Sequence, residues 1–179
     1  MRCIDYLIIC ISIFSISQSK EKIIYLIHEG EIDSYFSDSA STTLSDKGVS
    51  DCKAAGKFLA DEEIARLYFS KKTRQTAWII GERSHQIKDM VEDYSTFKEG
   101  TTDSIIDKFK EFLEEFWDNN YNYDIYALVI NDVIANAYST LFFEDSTEIK
   151  NMSSCGISKI IMNNINSFIV EYWDYNNFN

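Results

Sequence analysis

The sequence contains 179 residues, of which 45% are hydrophobic and 15% are aromatic. That length suits one domain with a sizeable core, and that aromatic content excludes a wholly disordered or collagen-like chain. Seventeen basic residues against 29 acidic residues give a formal net charge of -12. A field of that sign repels phosphate backbones and anionic membrane surfaces, so we expect no nucleic-acid partner.

Residues 1–19 have the order of a secretory signal peptide. Arg2 precedes an apolar run from Tyr6 to about Ile16, and small and polar residues follow as far as Ser19. The apolar run is about half of the roughly 20 residues that cross a bilayer as a helix. We expect cleavage after Ser19, a single domain over residues 20–179, and a place outside the cell or in the endomembrane lumen. The alternative is a leader retained as a short anchor, including in the mitochondrial membrane; otherwise we expect no stable membrane span.

Two cysteines, Cys52 and Cys155, lie beyond this leader. An oxidising lumen permits a disulfide between them, and two separate buried thiols are the alternative. Because the sequence has no Cys-x-x-Cys motif and no Cys/His cluster, we expect no metal site and no cofactor. Asn151 begins an Asn-Met-Ser triplet, a glycosylation acceptor that matters only if the chain is secreted.

The first half of the mature chain shows strand and helix patterns in turn. Lys22–Ile27 is apolar and β-branched, which predicts a strand buried on both faces. Ser45 is predicted to cap a helix, and the apolar residues that follow have helical spacing: Val49, Cys52, Ala55, Phe58 and Leu59. A short strand is predicted over about 65–69 and a helix over 73–81.

The second half continues this alternation. The spacing of apolar residues over 105–117 predicts a helix with one apolar face, and 126–130 is a second buried strand that leads through Asn131 into another helix. Residues 157–162 and 168–173 are predicted to form a closing hairpin. The pattern predicts an α/β fold with a mostly parallel sheet and helices on both faces, so three layers, with ligands bound at the carboxyl ends of the strands.

Six segments in this order resemble the histidine phosphatase superfamily, whose fold is phosphoglycerate mutase-like. The segments cover most of the mature chain: 25–31, 43–48, 55–60, 74–77, 97–100 and 126–134. Phe97–Gly100 and the tail from Cys155 are most similar to the mitochondrial serine/threonine protein phosphatase branch. The resemblance implies a histidine nucleophile that becomes phosphorylated. It also implies two arginines and a second histidine that hold the phosphoryl oxygens, and a carboxylate that protonates the leaving group.

The residues at these family positions differ from that set. Aligned on Gly30, the nucleophile position falls on Glu29 and the first arginine position on His28; a shift by one residue makes His28 the nucleophile and leaves the arginine position to an isoleucine. The second arginine position falls on Lys72, with Arg74 as an off-register alternative, so Lys72 and Arg74 are the candidate phosphate-binding residues. Lysine keeps the charge but loses the two-pronged geometry of arginine.

The remaining two family positions lie later in the chain. Glu99 matches the acid, and the second histidine position, after the strand that ends near residue 130, falls on Asn131 or Asp132. The chain has only one histidine besides His28, namely His85, and we interpret that residue as a solvated side chain after a helix.

These substitutions favour a catalytically inactive pseudophosphatase that acts by binding a protein partner or a phosphorylated ligand. The competing hypotheses are a weak phosphatase for serine/threonine phosphoproteins or small phosphomonoesters, a carboxylate-based hydrolase, and a secreted interaction protein. The plain structural alternative makes Glu29 and Glu99 solvated loop residues, His28 a partly exposed ring at a strand end, and Cys52 a core residue.

Overall fold

The computed structural model describes residues 21–33, 43–93, 97–118, 124–143, 150–165 and 167–178; the predicted leader lies outside these ranges. Strands and helices alternate over the first two thirds of the chain, and two strands close it. The elements are β1 (Lys22–His28), α1 (Asp46–Phe58), β2 (Arg66–Phe69), α2 (Arg74–Ser84), β3 (Asp89–Glu92), α3 (Thr102–Asp118), β4 (Ile125–Ile130), α4 (Asp132–Phe142), β5 (Ile157–Asn164) and β6 (Ser167–Tyr175).

The six strands form one mixed sheet in the order β3-β2-β4-β1-β5-β6. Strands β3, β2, β4 and β1 run parallel, and β5 and β6 add an antiparallel hairpin at one edge. The register pairs His28 of β1 with Ile130 of β4, so the carboxyl ends of these two central strands lie side by side. The predicted mostly parallel α/β sheet is confirmed.

Helices cover both faces of the sheet, because successive residues of a strand point to opposite sides. In β1, Ile24 and Leu26 pack into a core with α3 and α4, while Tyr25 and Ile27 pack into a second core with α1 and α2. The apolar stripe of α3 is buried in the first core: Ile105, Phe109, Phe112, Leu113 and Phe116. These two cores on either side of one sheet form the three layers expected from the sequence.

Polar side chains cap α1 and α4, and the cap at Ser45 confirms the prediction for α1. The Ser45 side chain accepts a hydrogen bond from the Gly48 backbone amide at 3.0 Å, and Asn131 accepts one from the Ile134 amide at 3.1 Å. Each cap satisfies a backbone donor that the first turn of a helix leaves without a partner. The cap at Asn131 also fixes where β4 ends and α4 begins.

Three features differ from the expectation. Strand β3 was not predicted, because its sequence, Asp-Met-Val-Glu, is too polar for a buried strand and forms only by pairing with β2. Helices α2 and α3 extend beyond the predicted ranges. Phe58, predicted on the buried face of α1, is 37% exposed, whereas Cys52 and Ala55 on that face are fully buried.

Within the residues that the structure describes, no helix is both long and apolar enough to cross a membrane.

Candidate functional site

The candidate site lies at the carboxyl ends of β1, β2 and β4, the edge where a parallel sheet presents its loops. Glu29 follows β1 directly, and its backbone amide donates to the carbonyl of Ile130, the last residue of β4, at 2.8 Å. Thr73, in the loop after β2, donates through its hydroxyl to the Val129 carbonyl at 3.2 Å. The segments after β1 and β2 are thus both bonded to the end of β4.

His28 is buried, with 7% of its surface exposed, and not the partly exposed ring that its place at a strand end indicated. Its Nε2 atom lies 3.0 Å from an Asp132 carboxylate oxygen. Its Nδ1 atom is buried and has no hydrogen-bond partner among the described residues. One ring nitrogen is therefore engaged by a carboxylate, and the other does not reach solvent.

Glu29 is the group in this cluster whose ionisation is most perturbed. Burial raises the pKa of its carboxyl to about 7, and the charges of Asp132 and Glu99 act in the same direction, while Lys72 opposes them. The backbone amide of Asp132, at the start of α4, donates to the carboxylate and also opposes the rise. Glu29 therefore changes charge near neutral pH, which an ordinary surface glutamate does not.

Lys72, Glu99 and Asn131 form a second group beside Glu29. The Lys72 ammonium lies 2.6 Å from an oxygen of the Glu99 carboxylate, and the Asn131 side-chain amide donates to the same oxygen at 2.9 Å. The hydrogen bond from Lys72 lowers the pKa of Glu99. Glu99 is therefore held as an anion near neutral pH, and its charge offsets that of Lys72.

An open pocket of about 470 Å³ lies over this second group. Its lining combines three lysines with two other hydrogen-bonding groups, one carboxylate and one aromatic ring: Ser70, Lys71, Lys72, Phe97, Lys98, Glu99 and Asn131. In a chain with a net charge of -12, three lysines around one pocket give a local excess of positive charge that can attract an anion.

The structure brings five of the predicted site residues to this edge: His28, Glu29, Lys72, Glu99 and Asn131. The sixth, Arg74, forms an ion pair with Glu92 of strand β3 at 2.6 Å and does not line the pocket.

Sequence reasoning left Asp132 as an alternative to Asn131, and the structure gives the two residues separate roles. Asn131 contacts Glu99, and Asp132 contacts His28. Lys71 and Lys98 were not predicted as site residues; their positions next to Lys72 and Glu99 in the same loops were the available signal. Within the described ranges, no group of three or more His, Cys, Asp or Glu residues could hold a metal ion.

The predicted disulfide and glycosylation residues lie outside this cluster of side chains. Cys52 in α1 and Cys155 before β5 have their Cα atoms 5.4 Å apart and their sulfur atoms in contact, a spacing that suits a disulfide. Asn151 is exposed, and Ser153 of its acceptor triplet donates through its hydroxyl to Asp174 at 2.7 Å.

The sequence matches a family model described as the histidine phosphatase superfamily (branch 1) over residues 25–132. This range begins in β1 and ends at the start of α4, so it includes every element that supplies a residue to the candidate site. A comparison with curated protein sequences finds no match.

Several solved structures share the fold. A phosphoglycerate mutase from Bacillus anthracis str. Sterne superposes with a TM-score of 0.71 at 12% identity, over 90% of this chain and 97% of that one. A mycobacterial glucosyl-3-phosphoglycerate phosphatase has a TM-score of 0.65 at 12% identity, over 86% and 99%. The protein histidine phosphatase SixA, complexed with tungstate, has a TM-score of 0.65 at 10% identity, over 84% and 94%. At such low identities these likenesses concern the fold alone.

Proposed function

Since the chain belongs to the histidine phosphatase superfamily (branch 1), we propose that it is a member that has lost phosphoryl transfer and acts by binding a phosphorylated segment of a protein partner. The segment Phe97–Gly100 supports a place near the mitochondrial serine/threonine protein phosphatase branch. The leader supports a secreted or endomembrane location, with a membrane-anchored form as the alternative.

The contact between His28 and Asp132 carries this proposal. A histidine nucleophile attacks phosphorus with the lone pair of one ring nitrogen. In His28, Nε2 is engaged by the Asp132 carboxylate at 3.0 Å, and Nδ1 is buried. Neither nitrogen is open to an incoming phosphate group.

The carboxylates at the site also disfavour phosphoryl transfer. The transferred phosphoryl group carries negative charge on its equatorial oxygens, and catalysis depends on preorganised cations around it. Here the Glu29 carboxyl follows β1, and Lys72 is paired with Glu99 at 2.6 Å. An ionised Glu29 repels the phosphate, and the pairing reduces what Lys72 can contribute to its stabilisation.

The lysine-lined pocket supports binding. Lys71 and Lys98 are exposed on its rim, and Ser70 and Asn131 add polar groups at its wall. Together they can hold a phosphate as a group of point charges and hydrogen-bond donors without a nucleophile. A pocket of about 470 Å³ suits a modified side chain and not a whole domain.

One observation favours a second candidate, a weak phosphomonoesterase. A carboxyl with a pKa of about 7, as burial gives Glu29, is suited to general acid-base work at neutral pH. In that case Glu29 takes a proton from a water molecule that attacks phosphorus, the phosphorus–oxygen ester bond breaks, and the leaving alkoxide is protonated by solvent.

Two assays on the purified protein separate these functions. Turnover of p-nitrophenyl phosphate and of a phosphoserine peptide is measured from pH 5 to pH 8 for the wild type, His28→Ala and Glu29→Gln. We expect no turnover above the buffer rate in any of them. Turnover that His28→Ala abolishes would overturn the proposal, and turnover that only Glu29→Gln abolishes would establish the second candidate.

Binding is measured with the same phosphoserine peptide and its unphosphorylated form by calorimetry. We expect binding of the phosphorylated form alone, weakened about tenfold or more in a Lys71→Ala, Lys98→Ala double variant, because two of the three cations are gone. Lys53→Ala, an exposed lysine of α1, is the matched control and should bind as the wild type does. Equal binding of both peptides would contradict the assigned ligand.

A further inference from the structure

The loop 153–156 is hydrogen-bonded to residues 28–31, the segment that begins the candidate site. The backbone amide of His28 donates to the Gly156 carbonyl at 2.9 Å, and the amide of Cys155 donates to the Glu29 carbonyl at 3.3 Å. The Glu31 amide donates to the Ser154 hydroxyl at 2.9 Å. Residues 28–31, which begin the site, are thus bonded to one short loop at three consecutive points.

The two cysteines connect this loop to helix α1. Both are fully buried, and their Cα atoms are 5.4 Å apart. A side-chain carbon placed on Gly30 would lie 2.7 Å from the Cys52 sulfur, so that sulfur packs directly against the site segment. The cysteine pair therefore contacts both the loop 153–156 and the segment 28–31.

The backbone conformation of Cys155 indicates that the loop 153–156 would move if the bond to Cys52 were broken. Its φ angle is 52°, in the left-handed region that residues with a side chain adopt only where surrounding structure imposes it. A covalent bond from Cys155 to Cys52 in α1 is one such constraint. Without that bond, fewer interactions hold residue 155 in the left-handed conformation.

We propose that Cys52 and Cys155 form a redox latch on the site: the disulfide holds the segment 28–31 in place, and its reduction loosens that segment. The reductant is a dithiol, which supplies two electrons and two protons. The bond between the two sulfurs breaks, both cysteines become thiols, and the dithiol becomes a disulfide. This inference goes beyond the proposed function and holds whether the site binds a phosphate or hydrolyses an ester.

A surface pocket lies between α1 and the loop 153–156. A pocket of about 400 Å³ is lined by Lys47 and Asp51 of α1 on one wall and by Ser153 and Ser154 on the other. It separates the same two segments that the cysteines join. Ser154, which lines this pocket, directly precedes Cys155, so the pocket reaches the residue next to the disulfide.

Hydrogen exchange tests the latch without any ligand. The full chain, with Cys3→Ser and Cys10→Ser so that only one cysteine pair remains, is purified without reductant, and exchange is followed with and without dithiothreitol. We expect the intact mass to show a disulfide in the untreated protein. On reduction, we expect the amides of 28–31 to exchange about tenfold faster or more, because this segment opens locally more often. The amides of β4 should exchange at an unchanged rate, because the core around that strand stays intact.

A second variant keeps the test independent of how reduction affects folding. Adding Cys52→Ala and Cys155→Ala should give fast exchange at 28–31 in both conditions, with no response to dithiothreitol. Two alkylatable thiols in the untreated protein would overturn the proposal. So would unchanged exchange at 28–31 on reduction, and so would equal acceleration in β4, which would mean global destabilisation. None of these readouts depends on phosphate binding or turnover, so failure of the latch and failure of the proposed function are distinguishable.

Discussion

Replacing Glu29 with glutamine should stabilise the protein above pH 7 and have little effect near pH 4.5. Glutamine keeps the shape of the side chain and removes its charge. Burial raises the pKa of the Glu29 carboxyl from 4.5 to about 7, so the folded protein holds the proton more tightly than the unfolded chain does. The wild type is therefore free of the burial cost below about pH 4.5 and bears all of it once the pH has risen through 7.

The size of the effect follows from the two pKa values. They differ by about 2.5, and each unit corresponds to about 1.4 kcal/mol, which gives an upper bound of about 3.5 kcal/mol. Glu29 is half-buried and not fully buried, and solvent screens part of the penalty, so we expect a gain of about 1–2 kcal/mol at pH 8.

Urea denaturation at pH 4.5 and pH 8 measures this gain for the wild type, Glu29→Gln and the exposed control Glu114→Gln. The free energy of unfolding of Glu29→Gln should exceed that of the wild type at pH 8 and approach it at pH 4.5. The control should stay within about 0.5 kcal/mol of the wild type at both values. A gain at pH 8 no larger than that of Glu114→Gln would refute the argument that Glu29 is buried beside like charges.

Three further predictions test the fold and the site. Gly48→Ala should lower the free energy of unfolding by about 2 kcal/mol or more, because the added Cβ atom would collide with the backbone of the segment after β1. Gly100→Ala should be nearly neutral, because the nearest atom to its added Cβ is 3.5 Å away. Urea denaturation measures both. Phe109→Ala, fully buried in the core under α3, should cost about 3–5 kcal/mol, and the partly exposed Phe58→Ala about 1 kcal/mol or less, measured in the same way. Glu29→His should not produce a phosphorylated protein when incubated with acetyl phosphate and examined by intact mass, because Lys72 stays paired with Glu99; a stable phosphoryl adduct that the wild type does not form would contradict the argument that this pairing prevents transfer.

The two central strands and the longest helix could be predicted because their sequences carry the signal locally. β1 and β4 are apolar at nearly every position since both of their faces are covered, and α3 repeats apolar residues on one face. Strand β3 has no such signal. Asp89 and Glu92 of this strand pair with Arg66 and Arg74 from other elements, and the strand exists only because β2 offers it a partner edge. The sequence of β3 alone does not show that β2 is available to pair with it.

Some features of the candidate site could likewise be predicted from the sequence, and others could not. Motif order and spacing predicted Glu29, Lys72 and Glu99 at one edge of the sheet. Glu29 directly follows β1, Lys72 lies in the loop after β2, and Glu99 lies between β3 and α3. The partner of His28 could not be predicted, because the contact with Asp132 depends on the register that pairs His28 with Ile130. A shift of one residue in that register would change which side chain faces the ring, and the sequence alone left two residues open at that position.

The charged side chains of the site are paired with each other within the protein. Lys72 is paired with Glu99, and His28 with Asp132, so each of these two side chains already has a carboxylate partner within the protein. A phosphate entering this cluster would have to compete with the Glu99 carboxylate for Lys72, and the Glu29 carboxyl, whose pKa burial raises to about 7, lies beside both pairs. Lys71 and Lys98 line the pocket outside these pairs. The positive charge that remains for a ligand is therefore on the rim of the pocket, where it can hold an anion, and not at the end of β1, where transfer would require it.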